Sequence, residues 1–222
     1  MENRNSPQWY LLRGKVCIEQ NQPKNAVKYL IRADENRETY SLLERCYREM
    51  EDYKIFAPKV ELELNQIGKF EFTIYNNHPN FDSLRRLKSI VTVYQDDYLI
   101  FRGRILNDEQ GFYNEKQVFC EGELAFFVDS IQRPYDFTGT PAELFAQLIA
   151  NHNSQVGEEQ RFIVGNVTVT DANDYISRSD SEYLNTWDSI NKKLIETHGG
   201  FLWVRHEPDG VYIDYLSELN LL

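Results

Sequence analysis

The residues best suited to proton transfer or metal binding in this 222-residue chain are its four histidines, and none has a partner at a chemically useful spacing. His78 precedes Pro79 in a loop, His152 closes a predicted helix, His198 stands beside the Gly199 and Gly200 stop, and His206 lies at a turn. No HExxH pair or other ligand spacing joins them, and no nearby Ser and Asp complete a triad. His198, near a helix C-terminus, is better explained by attraction to the carbonyl end of that helix.

Carboxylates come in pairs at Asp96 with Asp97, Asp171 with Asp174, and Asp180 with Glu182. Such pairs can bind calcium or divide acid and base work, but these lack the twelve-residue EF-hand layout and read as solvated turns. There is no GxSxG elbow, P-loop or GxGxxG, and Arg102, Gly103 and Arg104 fall inside a predicted strand, where they cannot cradle a phosphate. Cys17, Cys46 and Cys120 form no CxxC pair and are odd in number, so they read as reduced, partly buried thiols. The prediction is a non-enzyme with no catalytic residue, no metal ligand and no cofactor.

Composition narrows the partners. The net charge is −11, and residues 1–53 carry nine Lys/Arg against nine Asp/Glu, so the whole excess lies in residues 54–222. An acidic body with scattered cations repels phosphate backbones, which argues against nucleic acid. No window has the roughly 18 consecutive apolar residues of a spanning helix, and MENRNSPQWY lacks the basic and apolar regions of a signal peptide, so no membrane partner is expected.

The pattern changes at about Tyr53. Before it, Trp9, Leu12, Val16 and Ile18 over Gln8 to Gln20 predict a first helix, with Gly14 as a point of close approach. Asn21 to Lys24 makes a turn, Ala26, Val27, Leu30 and Ile31 predict a second helix, and Tyr40, Leu43, Cys46 and Tyr47 predict a third ending near Met50 or Asp52. The run WYLLRGKVCIEQNQPKNAVKYLIRADEN resembles about one and a half tetratricopeptide repeats. Such repeats bury their faces only against neighbours, so the segment reads as a helical cap, with peptide-binding adaptor as the functional alternative.

After Tyr53 the alternation is that of strands. Val60, Leu62 and Leu64, then Phe70, Phe72 and Ile74, predict a hairpin turned at Asn65 to Lys69. NNHPNFDSLRRL reads as a loop with a short helical turn. Ile90 to Tyr94 and Tyr98 to Ile105 form a second hairpin around Gln95, Asp96 and Asp97, and Lys116 to Leu124 follows the Asn107 to Asn114 connection. Five strands in this space predict a small barrel or curled sheet.

Thr140 with Pro141 and Glu143 starts a helix carrying Leu144, Phe145, Leu148 and Ile149. A strand at Phe162 to Val169 leads through DANDYISRSD to a second helix, capped by Asp180 or Ser181 and striped by Leu184, Trp187, Ile190, Leu194 and Ile195. Phe201 to Arg205 and Val211 to Tyr215 close as a hairpin around Glu207 to Gly210. Tyr75, Tyr94, Tyr98, Tyr113, Tyr135 and Tyr175 read as core and subunit-interface residues. The fold class is α+β: an all-helical segment at 1–53, a β-rich subdomain at 54–135 and an α+β subdomain with the two amphipathic helices at 136–222.

With these elements placed, residues 52–216 resemble the amino-terminal hub domain of phage tail proteins called phage minor structural protein, prophage endopeptidase tail or tail-associated lysin. The resemblance rests, in order, on DYKIFAPKVELELNQIGKFEFTIYNNHP, YLIFRGRIL, VFCEGELAFFVDSIQRPYDFTGTPAELFAQLIANHNSQV, FIVGNVTV and YLNTWDSINKKLIETHGGFLWVR. It implies a structural component of a baseplate hub in a phage or prophage tail tip: a homotrimer, made in the bacterial cytoplasm and assembled into the virion tail. Its implied partners are other tail proteins, namely a distal tail protein and fibres or a lysin. Cell-wall hydrolysis, the enzymatic alternative, is implied only for regions carboxy-terminal to this domain. Phe81 to Arg86, with Phe81, Leu84, Arg85 and Arg86, is the predicted inter-subunit contact.

Overall fold

The computed structural model describes residues 6–20, 22–50, 54–96 and 98–219; Asn21, Asp52, Tyr53 and Asp97, which figure in the predicted turns and boundary, lie outside them. The fold is α+β. The chain divides into two compact units, one of residues 1–59, 71–86 and 107–119, the other of residues 60–70, 87–106 and 120–222.

In the first unit, α1 (Pro7–Glu19), α2 (Pro23–Leu30) and α3 (Arg37–Glu49) pack in sequence, α1 on α2 and α2 on α3. Ser6 and Asn36 cap α1 and α3 by accepting the Trp9 and Thr39 amide protons. Their core is Cys17, Ile18, Ala26, Val27, Leu30, Cys46 and Met50. The inward face of α1 therefore differs from the predicted stripe: Gly14, Cys17 and Ile18 are buried, whereas Leu12 and Val16 are exposed. Gly14 sets that rotation, because a Cβ there would stand 2.5 Å from Leu30 Cδ2. Ile31 and Tyr40, also expected inside, are exposed.

Five strands, β1 (Phe56–Glu61), β2 (Lys69–Tyr75), β3 (Ile90–Gln95), β4 (Tyr98–Gln110) and β5 (Glu115–Gly122), form a curled antiparallel sheet in the order β1-β2-β5-β4-β3. Phe70, Phe72 and Ile74 of β2 are buried, as their alternation predicts. β1 ends earlier than its pattern suggests, leaving Leu62 and Leu64 exposed beyond it. There the chain turns, with Asn65 at φ 56°, and the Asn65 side chain exchanges hydrogen bonds with the Gly200 carbonyl and the Leu202 amide. β4 runs on to Gln110, so the predicted connection shrinks to Gly111 to Asn114. The expected helical turn near Phe81 is a succession of turns.

In the second unit, a 3-10 segment at Glu123–Asp129 leads to β6 (Tyr135–Gly139) and α4 (Pro141–Asn153), which carries the capping box of Thr140 and Glu143. β7 (Ile163–Val167) is followed by β8 (Ile176–Asp180), then α5 (Thr186–Ile190), which passes through a π-helical turn at Asn191–Ile195 into α6 (Glu196–His198). β9 (Phe201–Glu207) and β10 (Gly210–Leu216) form the closing hairpin, and β10 also pairs with β7 in parallel.

Two corrections follow. DANDYISRSD contributes strand β8, paired with β6, because short polar strands lack an alternating apolar face to betray them. The N-cap of α5 is Asn185, which accepts the Asp188 amide proton, so neither Asp180 nor Ser181 caps this helix. Gly199 and Gly200 end α6 at positive φ, and a Cβ on Gly200 would press on Val169 and Tyr215. The core unites Phe126, Phe127, Phe145, Leu148, Phe162, Leu194 and Tyr215 among others, each such ring or branched chain contributing about 1.5–3 kcal/mol on burial.

Candidate functional site

Ser130 and His152 make the closest approach to a catalytic pair among the described residues. Ser130 Oγ lies 2.7 Å from His152 Nδ1, and His152 Nε2 lies 2.9 Å from the Gln160 carbonyl oxygen. A carbonyl only accepts, so Nε2 carries the ring proton and Nδ1 accepts from the Ser130 hydroxyl. Ser130 Oγ is 2.6 Å from Thr186 Oγ1, which accepts from Gln132 Nε2 at 2.7 Å. The chain therefore has one direction: Gln132 donates to Thr186, Thr186 to Ser130, Ser130 to His152, and His152 to Gln160.

Ser130, His152 and Thr186 are fully buried. Phe127 and Phe162 flank the imidazole at 4.8 and 6.0 Å between ring centroids. Burial holds His152 below the ordinary histidine value despite the Gln160 bond and nearby Asp129, so the ring is neutral. A triad needs an accessible nucleophile and a carboxylate behind the base; here the nucleophile is sealed and a backbone carbonyl stands behind the ring. The arrangement ties α4, α5 and the segments at Ser130 and Gln160 together. One sequence signal pointed to it: His152 follows Leu144 and Leu148 at helical spacing, on the buried stripe of α4.

Arg102 and Arg104 lie on one face of β4, and both guanidinium groups stand over the Phe126 ring at 5.8 and 5.5 Å. Arg104, itself buried, bonds Glu121 at 2.7 Å and holds Asp129 through two nitrogens. Arg102 bonds Glu123 at 3.1 Å and Glu159 at 3.3 Å. These cations are paired with carboxylates of the same unit, from the half-buried Glu123 to the exposed Glu159. Arg102 and Glu123 also border a cleft of about 350 Å³, lined by Leu62, Leu64, Trp203 and His206. His206 Nε2 lies 2.9 Å from Glu123 Oε1.

Of the carboxylate pairs, Asp171 fixes a turn, whereas Asp180 is buried at the end of β8 and not in the solvated turn expected for it. Asp171 accepts the Asn173 and Tyr175 amide protons, and Asp180 accepts that of Glu182. Among the described residues no group of three His, Cys, Asp or Glu is placed to hold a metal ion. Cys17, Cys46 and Cys120 are buried and in no disulfide, and burial raises the Cys120 thiol to about 12. His198 Nε2 accepts from the Arg178 guanidinium at 2.9 Å; burial first and Arg178 second lower its pKa, so it stays neutral rather than acting as the cation expected at a helix end.

In the segment at Phe81 to Arg86, Phe81 and Leu84 are half-buried while Arg85 and Arg86 are exposed. Lys116 Nζ sits 4.3 Å above the Phe81 ring and donates to the Phe81 carbonyl. Arg86 pairs with Asp108 at 2.7 Å, and Arg85 donates to the Asp82 and Leu84 carbonyls. Of the tyrosines assigned to core or interface, Tyr75, Tyr94, Tyr98, Tyr113 and Tyr175 are exposed, so the core assignment fails for them. Each sits at or beside a strand end or turn.

The sequence matches no family model and no curated protein. Two solved structures are similar over most of this chain. One is the prophage tail protein gp18 from Listeria monocytogenes EGD-e, 12% identical over 75% of this chain, with a TM-score of 0.45. The other is the E. coli c3393 protein, a component of the type VI secretion system described as structurally similar to the T4 bacteriophage tail proteins gp27 and gp5; it is 11% identical over 73% of this chain, also with a TM-score of 0.45. This chain spans 44% and 48% of their lengths, less than half of each. No described helix is long and apolar enough to cross a membrane.

Proposed function

We propose that this chain is a non-enzymatic structural component of a phage or prophage tail tip, a baseplate-hub domain that assembles as a homotrimer and docks other tail proteins. The observation that carries the reading is the order of the sequence blocks resembling tail hub domains, which fall in chain order on β1 and β2, β4, β5 through α4, β7, then α5 through β9. Residues 54–135 and 136–222 would be the two hub subdomains, residues 1–53 a helical appendage, and the virion tail the place of work. The segment holding Phe81, Leu84, Arg85 and Arg86 would lie at the subunit contact, where half-buried apolar groups beside arginines suit an interface. Light scattering coupled to size exclusion of the full chain tests this. A trimer that Phe81→Ala with Arg85→Ala converts to monomer is expected; a monomer at all concentrations overturns the assembly reading.

A further inference from the structure

β9 is an edge strand: in the sheet order β7-β10-β9 its outer side meets no other strand. The Asn65 carboxamide occupies the first rung of that side, donating from Nδ2 to the Gly200 carbonyl and accepting from the Leu202 amide, both at 2.9 Å. The peptide group of a neighbouring strand would make the same two bonds. The Leu202 amide therefore points away from β10. Leu202, Val204 and His206 stand opposite Tyr215, Ile213 and Val211 in unbroken register, so strand alternation turns the Val204 and His206 amides the same way. Beyond Asn65, the Leu202 and Val204 carbonyls and the Val204 and His206 amides take part in no hydrogen bond among the described residues.

Such an edge is a template for one more strand, and natural sheets blunt the edges they leave unused with Pro and Lys. β1 carries Pro58 and Lys59; β9 carries neither residue type. The open part of β9 lines the cleft of about 350 Å³, all of whose lining residues belong to the second unit. Leu62 and Leu64, exposed beyond β1, border the same cleft with Trp203. Unpaired main-chain groups beside exposed apolar side chains are what an added strand uses, the first for affinity and the second to hold its alternate side chains. Arg102 is held by Glu123 and Glu159, so the exposed carboxylate of Glu63, between the two leucines, sets the charge an incoming segment meets. In a chain of net charge −11 that favours a cationic segment and repels an acidic one.

We propose that this cleft binds an extended peptide segment of another protein, with apolar residues at alternate positions and a lysine or arginine, which adds as a strand beside β9 at Val204 and His206. The inference rests on backbone geometry and goes beyond the tail reading, whose trimer test a failed titration would leave untouched. The probe is a fluorescein-labelled Lys-Val-Thr-Val-Thr-Val peptide, titrated into the isotope-labelled full chain and followed by anisotropy and amide NMR. Saturable binding of about millimolar affinity is expected, with slowed hydrogen exchange at the Val204 and His206 amides. N-methylation of the peptide at alternate residues should abolish binding in one register and spare it in the other, since only one set of its amides faces β9. Leu62→Glu, at an exposed position, should weaken binding about tenfold. No saturable binding, equal binding by both N-methylated peptides, or protection confined to other amides overturns the proposal. Protection of Val204 and His206 by raising the protein concentration alone would assign the edge to a second copy of this chain and overturn it as well.

Discussion

Two buried polar groupings lie a few residues apart in the same unit and differ in one respect. The chain from Gln132 to Gln160 through Ser130 and His152 gives each donor an acceptor, while Tyr135 and Asp180 each keep an atom without one. The first resembles a serine–histidine catalytic pair in residue type and has the geometry of a structural tie. The second has no motif and leaves two buried polar atoms without a hydrogen bond. Completeness of hydrogen bonding, more than burial or residue type, separates the two.

The largest expected effect tests the charged cluster that Gln160 joins to the closed chain by donating to Asp129 Oδ2 at 2.8 Å. Arg104→Ala takes the buried cation from Glu121 and Asp129 and should cost about 3 kcal/mol in urea denaturation. A loss under about 1 kcal/mol would show that solvent already screens those carboxylates.

A paired comparison is sharper. Ser130→Ala leaves the Thr186 hydroxyl proton without an acceptor and His152 Nδ1 without a donor and should cost about 2 kcal/mol, whereas Tyr135→Phe and Ser189→Ala remove oxygens that have no bond and should stay within about 0.5 kcal/mol. Equal losses for Ser130 and Tyr135 would erase the contrast.

The smallest effect is on pH dependence. His152 and His198 hold folded pKa values below the ordinary one, so the unfolded chain binds protons first as pH falls. Their stabilisation is complete above about pH 6.5 and is lost as pH drops through the folded pKa values. The denaturation midpoint should fall between neutral pH and about pH 5, and more shallowly in a His152→Phe background. An unchanged slope there would show that another group carries the effect.

The strands and helices with a clear period were legible: Phe70, Phe72 and Ile74 on β2, the Thr140 and Glu143 capping box, and the glycine stop at Gly199 and Gly200. The β6–β8 ladder was not, because DFT and SRS carry little apolar alternation and gain their place only by pairing with each other. The turn after Glu61 escaped for the opposite reason: Leu62 and Leu64 continue the β1 alternation, yet Asn65 bonds to Gly200 and Leu202, far away in sequence, and draws the chain out of the strand.

Local periodicity, caps and glycine stops depend on neighbours within about four residues, so the sequence by itself determined most of the element types and the α+β class. Which polar groups close into a chain and which are left open depends on contacts between residues as distant as Ser130 and Thr186 or Tyr135 and Asp180. Only the tertiary structure decided those, because a buried hydrogen bond is a property of two partners and the space between them.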